Sequence, residues 1–179
     1  MTRNYPFVPG IDAAGTISDA NSSNFVEGDE VLVTGYDMGM NTPGGFGEFI
    51  NVPANWVVKK PSALTSIEAM SIGTAGLTAA ASVLKIFEFA QESDLPVLVS
   101  GATGGVGSVA VGVLSLLGYE VHAITSKVDE EKFLLKMGAS KVLIKDNFMK
   151  EPTKPLDKGL YGGAVDVVAS VLEINREDK

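Results

Sequence analysis

The run Gly101-Ala102-Thr103-Gly104-Gly105-Val106-Gly107 carries the main chemical signal in the chain. It follows an apolar stretch, Val97-Leu98-Val99, and precedes a helical pattern. Glycine meets three needs in such a place. The turn out of a strand is tight, the backbone must approach a pyrophosphate, and the helix must pack closely on the sheet. The N-terminus of the helix then offers unpaired N–H groups and a positive dipole end to phosphate. The spacing is G-x-x-G-x-x-G with an added Gly105, not the strict G-x-G-x-x-G, and a plain structural turn is the competing reading. The loop lacks the closing Gly-Lys-Ser/Thr of an ATP-binding P-loop, which excludes a kinase or GTPase reading.

The end of the next strand is the second signal. In NAD binders an Asp or Glu about 20 residues on grips the ribose hydroxyls. Here the tip reads Thr125-Ser126-Lys127, hydroxyls and a cation with no carboxylate. That set suits the 2′-phosphate of NADP through charge-assisted bonds. The competing reading makes Ser126 the cap of the next helix, with Asp129 at N3, and Lys127 a solvated charge. Asp129 and Glu130 lie slightly beyond the tip and could serve NAD. His122, inside that strand, reads as packing. The polar run Tyr36 to Thr42 reads as an exposed loop, and Glu48 as a strand-edge carboxylate.

Composition narrows the remaining chemistry. The chain has 179 residues, with 14 Lys+Arg against 22 Asp+Glu, a net charge of -8 and a pI near 4.6. So acidic a surface argues against nucleic acid or anionic membrane as a partner. With no cysteine, disulfides and thiolate zinc sites are excluded, and one histidine rules out His-rich metal clusters. No metal is expected. The start of the chain lacks the apolar core of a signal peptide. Gly and Ser break the apolar stretches short of a span, so no membrane crossing is expected and the location reads as cytoplasmic. Mean hydropathy is +0.21. Buried parallel strands explain a high value, and so does belonging to something larger that covers apolar surface.

The elements that must position these groups fall into two halves. Phe25 to Thr34, Phe49 to Val52 and Trp56 to Val58 read as short strands, separated by glycine-dense turns that suit a small barrel. Thr65-x-x-Glu68 is a capping-box signature opening a short helix. A helix follows over Gly73 to Leu84. Then come a strand at Val97–Val99 and a helix with Val106, Val109, Ala110, Val113 and Leu117 on one face. A strand at Glu120–Thr125 leads to a helix over Asp129–Met137, with Gly138 in the C′ position. The series ends with a strand at Lys141–Ile144, a loop over Asp146–Lys158 and a strand at Ala164–Val168. That order predicts an α/β chain with a doubly wound parallel sheet and right-handed crossovers.

Several motifs, in the right order, resemble the medium-chain dehydrogenases/reductases. They are Pro9-Gly10-Ile11-Asp12-Ala13-Ala14-Gly15-Thr16-Ile17, Gly28-Asp29-Glu30-Val31, Gly44-Gly45-Phe46-Gly47-Glu48-Phe49 and Gly73-Thr74-Ala75-Gly76-Leu77-Thr78-Ala79. Gly47 stands where the family usually has Ala. The finer match is to the zinc-free branch of acryloyl-CoA reductases and quinone oxidoreductases. The resemblance implies part of a GroES-like barrel over 1–72, then part of a Rossmann dinucleotide-binding domain over 73–179. It implies NADP(H) as cofactor, and hydride transfer to an activated C=C bond of an enoyl thioester or to a quinone, without zinc. By position, Thr103, Gly104, Gly105 and Val106 would hold the pyrophosphate. Thr125, Ser126 and Lys127 would contact the 2′-phosphate, Lys145 an adenosine phosphate, and Thr78 the nicotinamide side. Asn41 is the candidate on the substrate side. The partners implied are a small-molecule substrate and a second copy of the chain. The family's strands upstream of Tyr5 have no counterpart here, and Ala169 to Lys179 departs from its pattern, so an incomplete copy is expected. An inactive or structural nucleotide-binding fragment is the alternative.

Overall fold

The computed structural model describes residues 5–21, 24–89, 94–148 and 159–168. Two compact units divide it, Met1–Thr74 and Ala75–Lys179.

The first unit is built on an antiparallel sheet of β1 (Asp12–Thr16), β2 (Glu30–Thr34) and β3 (Val57–Lys59), in that spatial order. Val31 and Val33 alternate inward on β2 and are buried. The strand foreseen from Phe25 starts only at Glu30. Gly28 turns with φ 92°, and the Asp29 carboxylate accepts the Val26 N–H at 3.1 Å, so the chain is still turning there. Phe49–Val52 is not a strand. Its backbone has no ladder to join among the described strands, and Phe49 is 77% exposed. β1, by contrast, was not among the strands expected from the sequence.

α1 (Ser66–Phe89) belongs to both units and is broken by non-helical Gly73, at φ 47° and ψ -154°. Its start is the capping box foreseen: the Thr65 N–H donates to Glu68 Oε2 at 2.8 Å and the Glu68 N–H to Thr65 Oγ1 at 3.2 Å. Beyond the break the helix restarts on a carboxylate from β1. Asp12 accepts the Thr74 N–H at 3.1 Å and the Thr74 hydroxyl at 2.8 Å. A Cβ on Gly73 would stand 2.8 Å from Asp12 Oδ2, so glycine is required on both counts. By length and composition alone, α1 is long and apolar enough to cross a membrane. The expectation that Gly and Ser break every such stretch therefore fails, since neither lowers hydropathy much. The second half of the helix packs Ala79 and Val83 into the core of the second unit.

That unit is a parallel sheet of β4 (Val97–Val99), β5 (Val121–Thr125), β6 (Lys141–Ile144) and β7 (Gly163–Val165), ordered β6-β5-β4-β7. The chain runs outward from β4 through α2 (Gly105–Leu116), β5 and α3 (Glu131–Lys136) to β6, and β7 then returns to the other side of β4. This reversal marks the doubly wound fold, and ligands bind at the carboxyl ends of the strands beside it. Val97, Val99, Val121 and Ala123 meet Ala110, Val111 and Leu114 of α2 and Leu134 of α3 in one buried core. Each fully buried Val or Leu contributes about 1.5–3 kcal/mol.

The buried face of α2 is not the one foreseen. Ala110, Val111 and Leu114 are fully buried, whereas Leu117 is 53% exposed and Val106, Val109 and Val113 only flank the core. Gly107 sets this rotation, because a Cβ there would stand 2.3 Å from the Gly101 carbonyl oxygen. The face bearing Gly107 must lie down on the strand–loop junction. A 3-10 turn, Val128–Glu130, precedes α3. The segment foreseen as a loop opens instead with a short helix, α4 (Lys145–Phe148), and Phe148 packs on Leu98 and Ile124. The rest of that segment, 149–158, lies outside the described residues.

Candidate functional site

The loop after β4 opens with Gly101 at φ 56°, a left-handed turn that favours glycine. The Ala102 N–H donates to the Ile124 carbonyl at 3.1 Å, which ties the loop to β5, and the Gly104 N–H closes back on the Gly101 carbonyl at 2.9 Å. Gly104 is the N-cap of α2 and supplies no side-chain bond. The first bond into the helix runs from the Ser108 N–H to the Gly104 carbonyl at 2.9 Å. The N–H groups of Gly105, Val106 and Gly107 therefore precede any intrahelical acceptor. Gly104 and Gly105 are exposed and Gly107 is buried.

The glycines divide by crowding. A Cβ on Gly107 would overlap backbone at 2.3 Å, whereas one on Gly104 would meet its nearest atom at 3.2 Å and one on Gly105 at 3.3 Å. The neighbours that explain Gly107 do not explain Gly105. Gly105 itself is exposed, and the neighbour its Cβ would meet is the Ala75 methyl group.

The β5 tip adjoins this loop. Thr125 is buried, and its hydroxyl accepts the Lys127 N–H at 3.0 Å and stands 3.5 Å from the Thr103 hydroxyl. Thr125 thus holds the tip to the loop, and Ser126 and Lys127 are the members exposed. No side-chain bond caps the 3-10 turn that follows or α3, so the capping alternative for Ser126 does not hold. Asp129 is exposed on the same turn.

The structure thus gathers Thr103, Gly104, Gly105, Val106, Thr125, Ser126 and Lys127 at the carboxyl ends of β4 and β5. Lys145 is half-buried at the start of α4, and Thr78 is exposed on the second half of α1. Asn41 lies in the first unit, where its amide donates to Asp37 Oδ1 at 3.0 Å and closes a turn. A cleft of about 1060 Å³ in that unit is lined by Asp12, Phe46, Phe49 and Met70 among others, and Asn41 is not part of it. His122, foreseen as packing, is half-buried on β5 and held by polar contacts. Its ring nitrogens meet Tyr161 at 3.3 Å and Glu120 at 3.1 Å, and burial pushes the Tyr161 hydroxyl above its ordinary pKa.

Sequence reasoning passed over Ser100 and Asp166. Ser100 is 2% exposed and donates to Asp166 Oδ1. Only Ser100 carried a local signal, a polar residue at the carboxyl end of an apolar run just before the glycine loop; Asp166 sits inside the run Ala164 to Val168.

A family model of the alcohol dehydrogenase GroES-like domain matches residues 1–62. YhfP of Bacillus subtilis, named as a quinone oxidoreductase, is 43% identical over 169 residues, which cover 94% of this chain and 51% of that protein. The acrylyl-CoA reductase AcuI of Ruegeria pomeroyi is 38% identical over 173 residues, covering 96% and 52%. Among solved structures, YhfP with NAD bound superposes with a TM-score of 0.88 at 42% identity, over 97% of this chain and 54% of that one. YhdH of Escherichia coli with bound NADPH gives 0.85 at 41% identity, over 92% and 51%. The chain spans about half the length of the curated relatives it matches.

Proposed function

Because the chain belongs to the medium-chain dehydrogenase/reductase family, on the branch of quinone oxidoreductases and acrylyl-CoA reductases, we propose that it serves an NADPH-dependent, zinc-independent reduction. The observation that carries this reading is the exposed pair Gly104–Gly105 at the start of α2, where a Cβ would be less crowded than at Gly107, beside the exposed Ser126 and Lys127. Thr103, Gly104, Gly105 and Val106 cradle the pyrophosphate, with the Gly105 and Val106 N–H groups and the helix dipole facing it. Ser126 and Lys127 take the 2′-phosphate, and Thr125 acts on them from below by fixing the Lys127 backbone. Thr78 and Lys145 complete the cofactor's contacts on the nicotinamide and adenosine sides. Bound NADPH supplies a hydride to an electrophilic carbon. The substrate class is an activated C=C bond conjugated to a thioester carbonyl, or a quinone.

The test is a titration of the chain with NADPH and with NADH, repeated for Lys127→Ala. The variant is expected to lose about 1–3 kcal/mol with NADPH, the worth of a charge-assisted bond, and little with NADH. Equal loss for both would remove Lys127 from the 2′-phosphate. An NAD reading is favoured by Asp129, exposed just beyond the tip, and by the NAD bound in the YhfP structure. NADH binding as tight as NADPH would select it.

A further inference from the structure

We propose that Ser100 and Asp166 are positioning residues for the dinucleotide: they latch the carboxyl ends of β4 and β7 together and so hold Val167 and Val168 over Gly101 as a fixed wall of the crevice. The proposal rests on the dinucleotide reading of the glycine loop.

A serine hydroxyl 2% exposed at the end of Val97-Leu98-Val99 is out of place unless it is fully bonded. Ser100 Oγ donates to Asp166 Oδ1 and accepts the Val167 N–H at 3.0 Å. The Ser100 N–H closes the ladder on the Val165 carbonyl at 3.0 Å. Asp166 Oδ1 also accepts the Val168 N–H at 3.1 Å, so the chain curls just past β7 instead of running on as a strand. This curl aims two valines at one place. A Cβ on Gly101 would stand 2.7 Å from Cγ2 of Val167 and 2.7 Å from Cγ2 of Val168. Val167 and Val168 nevertheless remain 39% and 46% exposed. One side of each therefore packs on the first glycine while the other is open to solvent.

The latch sits where the strand order reverses, between β4 and β7. In an open α/β sheet this is where a ligand enters. A wall already fixed there removes ordering cost from binding. The carboxylate itself is no asset beside a pyrophosphate, since like charges repel. Its Oδ1 acts as an acceptor for a hydroxyl and an N–H, so the role assigned to Asp166 is geometric. The amide of asparagine has the same acceptor and no charge.

The experiment measures NADPH affinity and thermal unfolding on the same samples of the full 179-residue chain. Asp166→Ala and Ser100→Ala are expected to weaken NADPH roughly tenfold, about the effect of one lost bond to a charged group. Asp166→Asn is expected to bind as tightly as the parent or tighter. That rescue separates geometry from charge, and a purely structural role would not produce it in affinity. Val168→Ala leaves both latch bonds in place and thins only the wall. It is expected to weaken NADPH while unfolding close to the parent temperature, and it decides the matter if the latch variants do not fold. Unchanged NADPH affinity in folded Ser100→Ala and Val168→Ala overturns the latch and leaves the cofactor reading standing. A parent chain that does not bind NADPH overturns both.

Discussion

Gly39, Gly44 and Gly45 in the first unit and Gly104 and Gly105 in the second all sit in glycine-dense turns, yet a side chain would meet different surroundings in the two places. At Gly39 a Cβ would stand 2.3 Å from the Gly10 carbonyl oxygen, at Gly44 2.4 Å from Pro9 and at Gly45 2.4 Å from the Asp12 carbonyl oxygen. These are glycines because backbone already fills the space. At Gly104 and Gly105 the nearest atoms are 3.2 and 3.3 Å away. Those contacts are tight but milder, and at Gly105 the neighbour is a side chain that can give, so the fold's own demand for glycine is weaker there. The same motif density therefore marks packing in one unit and, in the proposed reading, a phosphate-binding surface in the other.

The strongest challenge to this contrast is Gly39→Ala. It combines φ 70° with backbone overlap, and is expected to cost about 3 kcal/mol or more in a urea titration. An unchanged midpoint would remove the packing half of the comparison. Within the glycine loop, Gly107→Ala should behave like the first unit's glycines. It presses on the Gly101 carbonyl at 2.3 Å and is expected to lower stability by about 2–3 kcal/mol, with NADPH binding falling only as the folded fraction falls. Gly105→Ala should do the opposite. Its Cβ asks Ala75 to give by a few tenths of an ångström, and alanine is the better helix former, so the unfolding temperature should hold or rise. NADPH affinity should fall roughly tenfold, as a methyl group occupies the pyrophosphate's place. A folded Gly105→Ala with parental affinity would make the whole loop a structural turn.

The smallest effect sharpens the contrast at the helix ends. α2 begins on glycine with no side-chain cap, whereas α1 begins on a filled capping box. The Thr65 N–H, and then its hydroxyl, hold the exposed Glu68 carboxyl below its ordinary pKa. A carboxylate with a depressed folded pKa adds stability above its unfolded pKa, and that stability is lost as pH falls through the folded value. Urea midpoints at neutral and acid pH should therefore differ less in Glu68→Gln than in the parent. Equal pH dependence would show that the box contributes nothing measurable.

Much of this was legible in the residues. The positions of three strands of the parallel sheet, the Thr65–Glu68 box, the stop at Gly138 and the glycine loop between strand and helix all follow from short-range rules, because each depends on neighbours within a few positions, whereas the fourth strand, expected over Ala164–Val168, stands at Gly163–Val165. The failures are long-range. Phe49–Val52 has strand composition but no ladder to join, and strand pairing is decided by a partner elsewhere in the chain. Asp12 caps a helix 62 positions away, and the Ser100–Asp166 contact spans 66. No local pattern announces either bond.

What the sequence determined by itself is the kind of site: a strand, a glycine turn and a helix N-terminus that can receive phosphate, with hydroxyls and a lysine at the neighbouring tip. Tertiary structure decided which of those residues face outward. Periodicity alone offered Val106, Val109, Ala110, Val113 and Leu117 as the buried stripe of α2, an apolar face of the proper spacing. The helix turned instead on Gly107, because only that position admits the Gly101 carbonyl at close range, and Ala110, Val111 and Leu114 were carried into the core with it. Thr125 likewise went inward to hold the Lys127 backbone, leaving Ser126 and Lys127 at the surface. Spacing says which residues share a face. Which face is buried depends on where two backbones come closest, and that is a property of the packed molecule.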